Sequence, residues 1–131
     1  MRFASKALFV ILVSSFMWGC SSVQPAGTSS GYQPGYVETG KASFYANVHQ
    51  SKETANGEIY DHKLNTAAHK TLPFGTKVRV TNMANGKIVV VKINDRGPFV
   101  KGRILDLSRS AFSSIASVSA GIIKVKIEVI E

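Results

Sequence analysis

Residues 85–108 read NGKIVVVKINDRGPFVKGRILDLS. The β-branched run KIVVVKI at 87–93 is a strand by composition and length. Asn85-Gly86, in front of it and behind the alternating KVRVTN at 77–82, is a strong hairpin signal. The run then stops at Asn94-Asp95-Arg96-Gly97-Pro98, where glycine and proline forbid a continued ladder. Arg103–Leu107 resumes an apolar pattern with one carboxylate, Asp106, inside it. A carboxylate and a guanidinium therefore stand at the lip of a strand, where they serve either a turn or a reaction.

Working outward, KASFY at 41–45 has the pattern of an opening strand. The terminal IIKVKIEVIE alternates most clearly, with Ile123, Val125, Ile127 and Val129 on one face and Lys124, Lys126 and Glu128 on the other. One helix is expected after Ser108, a good N-cap, with Ala111, Phe112, Ile115 and Ala116 on its apolar face and Gly121 at the exit to the last strand. About six short strands and one helix suggest a small closed β-barrel, since closure removes exposed strand edges.

The chain of 131 residues is not all barrel. It opens with Arg2 and Lys6 around the start of an apolar run from Ala7 to Trp18, too short to span a bilayer and of the form of a secretory signal peptide over 1–19. The run ends at Gly19-Cys20, and Cys20 is the only cysteine, so no intrachain disulfide exists. This pattern resembles a bacterial lipoprotein signal, which implies lipidation of Cys20 and anchoring to a membrane. Ser21 in place of an aspartate favours the outer membrane in an organism that has one. Residues 20–40, rich in Ser, Gly, Pro and Thr, are expected to be a flexible tether. The barrel is expected over 41–131, which carries 14 basic and 7 acidic residues and a charge of +7. That balance suits an anionic polymer or membrane, and export argues against nucleic acid.

For chemistry, the sequence has no cysteine-rich metal motif, phosphate loop or Gly-x-Ser-x-Gly elbow, and His49, His62 and His69 lack zinc-helix spacing. Neither metal nor cofactor is expected. The remaining candidates are acids and one histidine near strand ends: Glu58 in TANGEIYD, His69 in TAAHKTLPFGT, and Asp95. A glycosidic bond needs an acid to protonate its leaving oxygen, and Asp95 or Glu58 offers one. Each has a plainer alternative: Asp95 as a turn residue capped by backbone N–H groups, His69 as a satisfied structural histidine. Asp106 is expected to pair with Arg103, and His49 and His62 to be solvated loop residues.

TANGEIYD, TAAHKTLPFGTKVRVTN, NGKIVVVKINDRGPFVKGRILDLS and the terminal KVKIEV together resemble the rare lipoprotein A family. The resemblance covers residues 40–131, with the two long blocks in order and at the right spacing. It implies a double-psi β-barrel of six strands and a lytic transglycosylase of peptidoglycan. Such enzymes cut the bond from N-acetylmuramic acid to N-acetylglucosamine, favouring strands stripped of stem peptides, and leave a 1,6-anhydro ring. The family's acidic and histidine positions fall on Glu58, His69 and Asp95, with Asp95 as the acid. Tyr45, Asn94 and Arg96 are expected at the substrate, Arg96 either bracing its loop or meeting a substrate carboxylate. A monomer acting in the cell envelope on glycan strands is expected.

Two departures from the family pattern stand out. Ala46 replaces a glycine after Tyr45, and His49-Gln50-Ser51 replaces an aromatic-His-Gly group. The chain also ends at Glu131, after the last strand, without the C-terminal peptidoglycan-binding repeat of longer members, so septal targeting is not implied. The competing readings are a non-catalytic, expansin-like wall-loosening lipoprotein, and an inverting hydrolase with Glu58 and Asp95 as its carboxylate pair.

Overall fold

The structure, a computed structural model, describes residues 33–131. The expected signal peptide, Cys20 and most of the expected tether lie outside the described residues. Six strands are present among the described residues: β1 (Val37–Phe44), β2 (Thr66–Ala68), β3 (Lys77–Asn82), β4 (Ile88–Asp95), β5 (Arg103–Leu107) and β6 (Ile123–Val129). They close into a barrel, as the sequence suggested, and the strand order around it is β1-β5-β2-β4-β3-β6. Two neighbouring pairs, β1 with β5 and β2 with β4, run parallel, and the other four are antiparallel.

The strand residues that alternate in sequence alternate in burial. Val125, Ile127 and Val129 of β6 point inward, and Val78 and Val80 of the neighbouring β3 pair with Val129 and Ile127, each at most 1% exposed. Burying each such side chain contributes about 1.5–3 kcal/mol. The helix α1 (Arg109–Ile115) plugs one side of this core with Ala111, Phe112 and Ile115. Phe112 meets Phe44 of β1 at 4.6 Å between ring centroids. Ser108 caps the helix, its hydroxyl accepting the Ala111 N–H, and Gly121 turns the chain toward β6 with a φ of 70°.

Three expectations change. The barrel begins before Lys41: Gly35 N–H bonds to Val129, and β1 opens at Val37. Residues 37–40 read as tether because Glu38 and Gly40, unlike Val or Ile, carry no apolar signal, yet they alternate with exposed Val37 and Thr39. Strand β2 went unforeseen, since its three residues are all buried and show no alternation. His62 is not a solvated loop residue, because Tyr60 Oη bonds its Nδ1 at 2.7 Å. The expected ion pair between Arg103 and Asp106 is present.

Candidate active site

A bulge makes the site. Ala67 of β2 pairs with Ile93, but Ala68 pairs with Asp95, so Asn94 is an extra residue on β4. The alternation of β4 breaks there: Ile93 and Asn94 are both buried, and Asp95 emerges at the rim. Bulges commonly re-aim a side chain next to a reactive centre.

Three donors hold the Asp95 carboxyl. Ala55 N–H and the Arg96 N–H both donate to Oδ1 at 2.9 Å. The Tyr45 hydroxyl donates to Oδ2 at 2.5 Å. Oδ1 is thus saturated by backbone, while Oδ2 has one protein donor and a free lone pair. Tyr45, just past β1, stacks at 4.3 Å on Tyr60 and meets His49 edge-on at 5.3 Å. Burial first, then the hydrogen bond and charge of Asp95, push its phenol above the ordinary tyrosine range. The phenol therefore remains a donor at neutral pH.

Glu58 reaches the same rim on a short hairpin-like loop. Thr54 N–H bonds to Glu58 O at 2.7 Å, and Gly57 takes a φ of 89° that a side chain would disfavour. Asn56 N–H then bonds to Asn94 O at 3.2 Å, stitching the loop to the bulge. The Glu58 carboxylate accepts from Asn56 Nδ2 at 2.8 Å and from Asn94 Nδ2 at 3.4 Å. Those two bonds, with a smaller contribution from the nearby Lys92 charge, hold its carboxyl below the ordinary glutamate value.

His69 follows β2 directly and joins Asp95 through backbone, its N–H donating to Asp95 O at 3.2 Å. Its ring is 4% exposed and turned elsewhere: Nδ1 accepts the Thr71 and Leu72 N–H groups at 3.1 and 3.0 Å, and Nε2 lies 3.0 Å from Glu38 Oε2. Arg96 is also committed. Its Nη1 donates to Leu72 O at 2.8 Å and His69 O at 3.3 Å, and the guanidinium lies 3.9 Å from the Phe74 ring centroid. Of the six site residues named from sequence, Asp95, Tyr45, Glu58 and Asn94 thus form one bonded cluster. Arg96 and His69 join it through backbone groups. Ala55, Asn56 and Glu38 were missed, Ala55 because it contributes only a backbone N–H placed by the loop, Asn56 because the loop brings its side-chain amide onto Glu58.

The closed six-stranded barrel fits a class that the sequence itself shows: this chain belongs to the double-psi β-barrel family described as lytic transglycolase, whose model matches residues 37–127. Among its relatives, the endolytic peptidoglycan transglycosylase RlpA of Vibrio cholerae is 55% identical over 96 residues, covering 73% of this chain and 36% of that protein. The protein of the same name from Pasteurella multocida is 52% identical over 97 residues, covering 74% of this chain and 33% of that protein. The chain thus spans about a third of the length of these relatives. Of solved structures, the Streptomyces papain inhibitor shares the fold, with a TM-score of 0.62 at 23% identity over 75% of this chain and 97% of that one.

Proposed function

We propose that the chain is a lytic transglycosylase acting on peptidoglycan glycan strands in the cell envelope, with Asp95 as its acid and base. One observation carries this reading: within a chain of the lytic transglycolase family, Asp95 is held at the rim by three donors, with one lone pair of Oδ2 left free. In the proposed cycle Oδ2 of Asp95 delivers a proton to the glycosidic oxygen. The bond from that oxygen to the muramic C1 breaks, and N-acetylglucosamine leaves as a free 4-hydroxyl. The muramic C6 hydroxyl then yields its proton to the same carboxylate as its oxygen bonds to C1. The 1,6-anhydro ring closes, Asp95 is protonated again, and no water is consumed.

The Tyr45 hydroxyl steadies the carboxylate that exists between the two transfers, an electrostatic role that requires no rearrangement. Glu58 offers a fixed negative charge beside the positive charge developing at C1, and Asn94 and Asn56 hold it there. Arg96 braces its loop. In this reading residues 1–19 direct export, Cys20 carries the lipid, and the segment before β1 tethers a monomeric barrel to the membrane.

The test is digestion of peptide-free glycan followed by mass spectrometry of the ends. Anhydro-muramic ends are expected from the wild type, with a loss of at least about a hundredfold in Asp95→Asn. Reducing ends instead would make the protein a hydrolase with Glu58 as second carboxylate. Intact strands bound by the barrel would make it a wall-loosening protein.

A further inference from the structure

We infer that Glu38 is a positioning residue of this site, holding Asp95 in place through the ring of His69 and the turn from His69 to Leu72. The inference rests on the role of Asp95 proposed above. It begins with a tautomer. Nδ1 of His69 accepts two backbone N–H groups, from Thr71 at 3.1 Å and Leu72 at 3.0 Å. Backbone N–H groups cannot reverse their polarity, so Nδ1 carries no hydrogen and the ring hydrogen sits on Nε2. That Nε2–H donates to Glu38 Oε2 at 3.0 Å. The ring is 4% exposed and has spent both nitrogens, so His69 has no group left to exchange a proton with a sugar.

What the ring does instead is fix a turn. The two N–H groups it accepts belong to residues 71 and 72, and Leu72 is fully buried, so releasing its N–H would leave a costly unpaired donor. The Leu72 carbonyl in turn accepts the Arg96 guanidinium at 2.8 Å. The Arg96 backbone N–H donates to Asp95 Oδ1 at 2.9 Å. A second strand of the same circuit runs from His69 N–H to Asp95 O at 3.2 Å. The chain of hydrogen bonds is thus unbroken from Glu38 to the reacting carboxyl, and Glu38 is its one charged anchor outside the 69–72 turn and the 94–96 bulge.

Glu38 is suited to that role by register. It faces inward on β1, between exposed Val37 and Thr39, where a strand would ordinarily carry an apolar residue. Its side chain is 29% exposed. Its carboxyl oxygen orients the imidazole, as carboxylates do for histidines in other sites. Without it the ring has only one side fixed, and small rotations pass through the turn to Asp95.

The experiment compares Glu38→Leu and Glu38→Gln with the wild type. Both keep the bulk of the side chain, but only Gln keeps an oxygen that accepts the Nε2–H. The readouts are kcat and KM on peptide-free glycan and the ¹⁵N resonances of the His69 ring. Glu38→Leu is expected to lower kcat about ten- to a hundredfold with KM near wild type, the size of effect a slight misplacement of a reacting group produces. Glu38→Gln is expected to recover most of that rate. The His69 spectrum should show an unprotonated Nδ1 in wild type and Gln variant, and exchange broadening in the Leu variant. Wild-type kcat in Glu38→Leu, or equal losses in both variants, overturns the inference. If the wild type yields no anhydro ends, the reaction proposed above fails, and the His69 spectrum decides separately: identical ring signals in Glu38→Leu and wild type overturn the positioning role.

Discussion

Replacing Tyr45 by Phe isolates the one donor to the free side of Asp95. The ring remains, so the stack on Tyr60 at 4.3 Å and the edge contact with His49 persist. Only the hydroxyl at 2.5 Å from Oδ2 is lost, and Oδ1 keeps both backbone donors at 2.9 Å, so the carboxyl stays near its place. A hydrogen bond to a charged group contributes about 1.5–3 kcal/mol net. If that interaction is realised mainly when Asp95 is a carboxylate, between the two proton transfers, its loss appears in the barrier. At 1.36 kcal/mol per factor of ten, kcat falls about ten- to a hundredfold, with KM little changed. Folding stability moves much less, because water at the rim replaces the hydroxyl and no packing is lost. The assay is the rate of anhydro-end formation from peptide-free glycan, with a urea titration alongside. A Tyr45→Phe enzyme at wild-type kcat, beside an inactive Asp95→Asn, would show that the phenol does not assist the acid. A change confined to KM would make Tyr45 a sugar contact instead.

Two further perturbations probe the frame around the site. A Cβ on Gly40 would meet Ile104 Cγ2 at 2.6 Å, so Gly40→Ala should destabilise the barrel by about 1–3 kcal/mol in urea, and an unchanged midpoint would refute the tight packing of β1 on Ile104. Asn56→Ala removes the largest influence holding the Glu58 carboxyl low, so NMR titration should find its pKa raised toward the ordinary glutamate value. The sign for stability follows: a depressed folded pKa stabilises the fold above the unfolded pKa, and that stabilisation is lost as pH falls through the folded value. Acidification should therefore cost the wild type slightly more stability than Asn56→Ala, the difference being small because Glu58 faces solvent.

The parts of the fold legible in sequence are those where one residue type repeats on one face. Ile123, Val125, Ile127 and Val129 announce β6, and Ser108 announces the helix, because alternation and capping are local. Strand β2 is three buried residues, Thr66-Ala67-Ala68, and a run that short has no period to detect. The start of β1 was hidden for a related reason: Glu38 and Gly40 occupy inward positions for what they meet, His69 and Ile104, rather than for hydrophobicity. Those partners lie far along the chain and become neighbours only when the barrel closes.

The same distinction explains the site. Asp95 was legible because a strand ends there in residues that cannot extend it. The bulge that lifts it to the rim was not, since nothing in Ile93-Asn94-Asp95 says that Ala68 will skip Asn94 and pair with Asp95. That skip has a chemical consequence. In regular pairing Asn94 would share the outward face of Val90 and Lys92, and Asp95 the inward face of Val91 and Ile93, so the carboxylate would enter the apolar core. With one extra residue Asn94 is buried instead, free to hold Glu58, and Asp95 emerges within reach of Tyr45, Ala55 and the Arg96 N–H. A one-residue irregularity thus turns a position that would destabilise the barrel into one that presents a carboxyl group at the rim.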